Sequence, residues 1–117
     1  MKANVIEAAV SCALNTFNVR SRHGAVIFND YKIISRGYNR KIKGGKKHTI
    51  HAEQDALGHS YTADLKGDVY CLVIRLNKRG KLTNSMPCDD CQRALRCAGI
   101  KKIFYSVSGG QIMEMKL

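Results

Sequence analysis

Tryptophan is absent from this 117-residue chain, proline occurs once, and acidic residues are scarce. With one proline there is no Pro-rich linker, and neither an internal repeat nor a low-complexity tract interrupts the chain. No apolar run approaches the ~20 residues that cross a membrane as a helix. Met1-Lys2-Ala3-Asn4 leads into an amphipathic helix, not into the apolar stretch of a secretory signal. The expected setting is therefore cytoplasmic, with no membrane partner. Five cysteines, an odd number with two in C-x-x-C, argue against a disulfide framework and suit a reducing compartment and metal binding. Nine Asp and Glu against 20 Lys and Arg leave a net charge of +11, which favours anionic partners such as nucleotides, RNA or DNA. At 13.0 kDa the chain is expected to form a single domain over 1–117, large enough for a core without staples.

Periodicity then places the elements. Ile6, Ala9, Val10, Ala13, Leu14 and Phe17 follow the spacing of a helix with one buried face, predicted over 5–17. Gly24 to Phe28 and Lys32 to Ser35, separated by Asn29-Asp30, read as a strand, a turn and a strand, closed by Gly37-Tyr38-Asn39. Arg40 to His48 is rich in lysine and glycine and reads as an exposed loop. A short helix is predicted over 51–59 with Thr49 as its N-cap. The nearly continuous apolar run within 68–76 predicts a central strand covered on both faces. A basic turn over 77–82 follows, then a helix from Pro87 to about Ala98, stopped by Gly99. Lys102 to Val107 is a further strand. Ser108-Gly109-Gly110 is too short for a parallel crossover, so a last strand over 111–115 must run antiparallel to it. Together these predict a mixed sheet with helices packed on its faces.

The chemistry concentrates in His51-Ala52-Glu53 and Pro87-Cys88-Asp89-Asp90-Cys91. One imidazole and two thiols make a three-ligand zinc site with an open fourth position. Both halves stand at predicted helix starts. There Cys88 and Cys91 project from one face, and the positive helix end favours thiolate. Glu53, two residues after the histidine, is placed to handle the protons of a water that the metal activates. Two other readings stay open. His48 and His51 are spaced H-x-x-H, so a closed four-ligand structural zinc is a rival, in which Glu53 and Pro87 have no part. A redox C-x-x-C pair is disfavoured, because Asp89 and Asp90 oppose thiolate formation. Cys12, Cys71 and Cys97 read as buried fillers. His23 and Tyr105 read as packing residues with a lesser chance of lining a pocket.

With Gly24-Ala25-Val26, Gly37-Tyr38-Asn39, His51-Ala52-Glu53 and Pro87-Cys88-Asp89-Asp90-Cys91, the chain from about Arg22 to Val107 resembles the cytidine and deoxycytidylate deaminase family. The resemblance implies an α/β, three-layer α-β-α fold, a five-stranded mixed sheet with helices on both faces. It implies Zn²⁺ on His51, Cys88 and Cys91, with Glu53 as the catalytic proton shuttle. It also implies a substrate site in which Asn39 meets the sugar and Ala52 and Pro87 border the base, and assembly as a homo-oligomer. Arg40 and Lys47, in the basic run beside the motif, are candidates for phosphate binding. The chain departs from the deoxycytidylate branch, because 40–50 is too short for that branch's inserted metal-binding stretch. Its Gly-Gly link after Val107 is similar to the free-nucleoside branch.

The expected activity is hydrolytic deamination of cytosine to uracil in a free nucleoside or monophosphate. A deaminase of cytosine or adenine in single-stranded DNA or RNA is the alternative, and the charge and basic run speak for it. A non-catalytic zinc-stabilised module that binds nucleic acid is a third reading.

Overall fold

The structure, a computed structural model, describes residues 1–17, 21–41, 49–60 and 62–117. In chain order the elements are α1 (Ala3–Leu14), β1 (Arg22–Phe28), β2 (Ile33–Tyr38), β3 (Arg40–Lys41), β4 (Thr49–Ile50), α2 (Ala52–Gly58), β5 (Tyr70–Leu76), β6 (Leu82–Thr83), α3 (Asp89–Cys97), β7 (Lys102–Ser106) and β8 (Ile112–Lys116). A 3₁₀ turn at Thr62–Leu65 links α2 to β5. The main sheet has the order β2-β1-β5-β7-β8. Its pairs are antiparallel except for β5 with β7. The apolar run of β5 thus lies at the centre of the sheet, as predicted. The short link over 107–111 leaves β8 antiparallel to β7, with Gly109 and Gly110 supplying the positive φ of the turn.

Alternation along the strands sorts the core into two layers. Val26, Phe28, Leu72, Ile74 and Leu76 meet the Val5, Ala9 and Ala13 face of α1. Ala25, Ile27, Cys71, Val73 and Ile103 meet Ala52 and Ala56 of α2 and Leu95 of α3 on the other side. The result is the expected three-layer α-β-α arrangement. Two glycines set the spacing. A Cβ on Gly24 would run into the Ala9 carbonyl oxygen of α1, and one on Gly37 into the Ala52 carbonyl and the Ala56 N–H of α2. Each glycine lets one helix lie directly on the backbone of the sheet. Asp55, buried in α2, accepts from the Tyr38 N–H at 3.1 Å and fixes the helix to the end of β2.

Several boundaries differ from the sequence expectations. Helix α1 stops at Leu14, and Phe17 is 74% exposed, so it closes no core face. The described ends of the 40–48 stretch are not loop: Arg40–Lys41 and Thr49–Ile50 pair as a small second sheet. Thr49 therefore cannot cap α2. His51 holds the N-cap position, its N–H given to Gln54 Oε1 at 3.3 Å. Pro87 does not open α3 either, since Cys88 is the N-cap and Pro87 precedes it. The basic turn ends in β6, a two-residue sixth strand paired with β5 beside the five expected ones. Cys97 is exposed on the last turn of α3 and fills no core. Gly99 does end α3: at φ +92° it donates to the Arg96 carbonyl while Ile100 donates to that of Leu95, the paired bonds of a Schellman cap.

Candidate metal centre

The two motif halves meet where the first turns of α2 and α3 converge. Helix α2 is seated by Gly37 and Asp55. The arm before α3 is held by a different device. Strands β5 and β7 pair only as far as Val73 and Tyr105, and the segment after β6 enters the split that follows. The ladder groups freed by the split still need partners. Buried Ser85 provides them, donating to the Val73 carbonyl at 2.8 Å and accepting from the Ser106 N–H at 2.8 Å. The Ser106 hydroxyl accepts from the Arg75 N–H at 3.2 Å and donates to the Thr83 carbonyl at 2.6 Å. Two serines thus replace the missing rungs and lead the chain to Pro87 and Cys88.

His51, Cys88 and Cys91 form the one group of three metal-ligating side chains among the described residues, their ligand atoms within 4.8 Å of one another. The His51 Nδ1 lies 3.2 Å from the Cys91 Sγ and 3.7 Å from the Cys88 Sγ. Tetrahedral zinc with sulfur at ~2.3 Å and nitrogen at ~2.0 Å sets N···S edges at about 3.5 Å. The three donors stand at that spacing around a shared centre, and their thiol and imidazole chemistry is that of a zinc ligand set. Zinc fits these residues.

Burial pushes the Cys91 thiol up, and the charge of Glu53 and the neighbouring Cys88 push the same way. Burial and the Glu53 charge thus act against the thiolate at Cys91, and a bound cation would favour it. Glu53, 4% exposed, lies against this cluster. Burial raises its carboxyl above the ordinary range, opposed by its own backbone N–H, the Cys91 thiol and the His51 imidazole.

A cleft of about 300 Å³ opens over the cluster. His51, Cys88 and Glu53 line it, as do Ala52, Pro87 and Asn39, so those candidates are brought together. The Asn39 amide is committed on three sides. Its Oδ1 accepts from the His23 N–H at 2.8 Å and from the Thr16 hydroxyl at 3.1 Å, and its Nδ2 donates to the Ser21 carbonyl at 2.6 Å. Backbone N–H groups only donate, so the oxygen is identified and the amide offers the cleft a donor. Arg40 lies elsewhere, its Nη2 3.0 Å from the Asp55 Oδ1 on the flank of α2. Lys43, Lys46, Lys47 and His48 lie outside the described residues. Tyr105 packs against the core under α2 and does not line the cleft. His23 does line it, and its imidazole is pushed down to about 4, by burial first and then by Arg75 and His51. Thr49, Ser85 and Met86 complete the wall. For Ser85 and Met86 the only available signal was their place just before Pro87.

The comparisons agree with this geometry. The family described as "Cytidine and deoxycytidylate deaminase zinc-binding region" matches residues 2–107. A curated relative, "Cytidine and dCMP deaminase domain-containing protein 1" of Danio rerio, is 30% identical over 95 residues. Those residues are 81% of this chain, which spans only 17% of that protein's length. Among solved structures, cytidine deaminase from Burkholderia pseudomallei superposes with a TM-score of 0.71 at 17% identity, over 99% of this chain and 93% of that one. The dCMP deaminase of cyanophage S-TIM5 gives 0.61 at 23% identity, over 90% and 84%. At such identities the two structures speak for the fold. The family match covers nearly the whole chain and both arms that carry the zinc ligands: the chain belongs to the cytidine and deoxycytidylate deaminase family.

Proposed function

We propose that this chain is a zinc-dependent hydrolase that deaminates cytosine to uracil in a free nucleoside or nucleoside monophosphate. The observation that carries the proposal is Glu53, a buried carboxyl facing the three-ligand cluster at the floor of an open cleft. A purely structural zinc would have no use for it. Zinc, when bound, supplies the Lewis acidity that makes water a nucleophile near neutral pH. Glu53 takes the proton released as water adds to C4 of the base and delivers it to the ring nitrogen N3. It then takes the proton of the new C4 hydroxyl and passes it to the amine as the C4–N bond breaks and the C4 carbonyl forms, which returns the carboxylate to its starting state. Asn39 Nδ2 donates to a sugar oxygen, and Ala52 and Pro87 border the ring. Arg40 is not carried forward as a phosphate ligand, because Asp55 already holds its guanidinium.

The small-substrate reading is supported by the short antiparallel turn between β7 and β8, the feature in which the chain is similar to the free-nucleoside branch. It is also supported by the names of the relatives, one of them solved with dCMP and dUMP. The net charge of +11 favours a polynucleotide strand instead. Incubation with cytidine, deoxycytidine, their monophosphates and a short single-stranded oligonucleotide separates the two. Uracil products from the small substrates are expected. Deamination of the strand alone, with binding that falls by orders of magnitude from low to moderate salt, would overturn the proposal.

A further inference from the structure

Arg75 stands at the end of β5, on the same face of the sheet as the metal cluster. Val73, two residues before it, packs with Ala52, Ala56 and Leu95 under the motif helices, and side chains alternate along a strand. Its cross-strand partner on β1 is His23, which lines the cleft. On its other side it pairs with Thr83, which lines a neighbouring groove together with Lys81 and Ser108. Arg75 therefore lies between a residue that lines the cleft, His23, and one that lines the neighbouring groove, Thr83, without lining either cavity itself.

Its hydrogen bonding is incomplete. Nη1 reaches the Asn84 carbonyl at 3.5 Å, the outer limit of a hydrogen bond, and the buried Nε–H has no acceptor among the described residues. None of the nine Asp and Glu, all within the described residues, forms an ion pair with it. Arg40 is the contrast, paired with Asp55 at 3.0 Å. A half-buried guanidinium with several donors and one long bond is short of an anion. Its planar fork matches the paired oxygens of a carboxylate or a phosphate, and of these a nucleotide carries the phosphate.

We infer that Arg75 anchors the phosphate monoester of a nucleotide whose base occupies the cleft beside His23 and Glu53. This anchor rests on the deaminase function proposed above and names the charged part of its substrate. The 5′-phosphate supplies the counter-ion that the fold leaves out. Nucleosides, lacking it, leave Arg75 unpaired.

Calorimetric titration of the zinc-loaded full chain tests this without turnover. The probes are deoxyuridine monophosphate, deoxyuridine, and a single-stranded trinucleotide with deoxyuridine at its centre. The monophosphate is expected to bind at least tenfold tighter than the nucleoside. Arg75→Gln should remove that preference, and Arg75→Lys, which keeps the charge but not the fork, should remove most of it. If Arg75→Gln folds poorly, the Lys variant carries the test. The inference is overturned by equal binding of nucleoside and monophosphate, by a preference that survives both variants, or by affinity lost for the trinucleotide alone. Turnover by the unsubstituted chain is a separate readout. Monophosphate binding through Arg75 with no deamination of any cytosine substrate would sink the deaminase proposal and leave Arg75 standing. Deamination of deoxycytidine with no gain from the phosphate would do the reverse.

Discussion

Glu53 and Cys88 differ in what their loss should remove. Glu53→Gln keeps the size of the side chain and leaves the three ligands in place, so one zinc per chain is expected, with turnover down roughly 10²–10⁴-fold. Cys88→Ala takes away a ligand and should lose zinc together with stability. Elemental analysis beside a rate assay distinguishes these outcomes. Full zinc in Cys88→Ala would refute the ligand set. His23 carries a second expectation. Its pKa falls from 6.5 to about 4 on folding, so between those values the unfolded chain binds more protons. Stability therefore rises with pH across that window and is lost as pH falls through it. In melting curves His23→Gln should flatten this slope, while carboxylates contribute equally to both proteins and cancel in the difference. At this scale the grouping of His51, Cys88 and Cys91, with Glu53 beside them, was legible, because metal chemistry needs those residue types at those spacings. His23 was legible only as the lesser of two readings, and Arg75 not at all. Their closeness comes from cross-strand pairing between positions 52 residues apart, which no local pattern announces.

Among the elements, the helices owe their places to small residues. Gly37→Ala would press a methyl group into the backbone of α2 and shift the turn that carries His51 and Glu53. A loss of about 1–3 kcal/mol is expected, with a fall in turnover larger than a stability loss alone would give. Gly58→Ala is the matched control: its Cβ meets open space on the same helix, so stability should hold or rise by about 0.4–1 kcal/mol. Urea unfolding of both variants measures the contrast. The strands and helices were legible from periodicity, and Gly24 and Gly37 stood out as motif residues. Their physical reason, the contact between helix and sheet backbones, was not. The misplaced N-caps share one cause. Thr49 and Pro87 are strong helix-start signals locally, but β4 pairing and the approach to the metal take those positions, and the ligands His51 and Cys88 become the caps.

On the scale of the whole molecule, the cleft is open and both His51 and Cys88 are exposed beside it. We expect a homo-oligomer in which a neighbouring copy closes this wall. Light scattering should give a mass well above 13.0 kDa, and a clean monomer at working concentration would contradict it. The ligands also sit far apart along the chain: His51 is 37 residues from Cys88 and 40 from Cys91, with the central strand β5 between them. The hairpins β1–β2 and β7–β8 can form from local contacts, but the cluster cannot exist until β5 has docked between them. Zinc is then a latch on an already assembled sheet. Interactions absent from the folding barrier act on the way out, so added zinc should leave the refolding rate unchanged and slow unfolding in proportion to the stability it confers. In stopped-flow experiments the metal would lengthen the lifetime of the native protein without hastening its arrival.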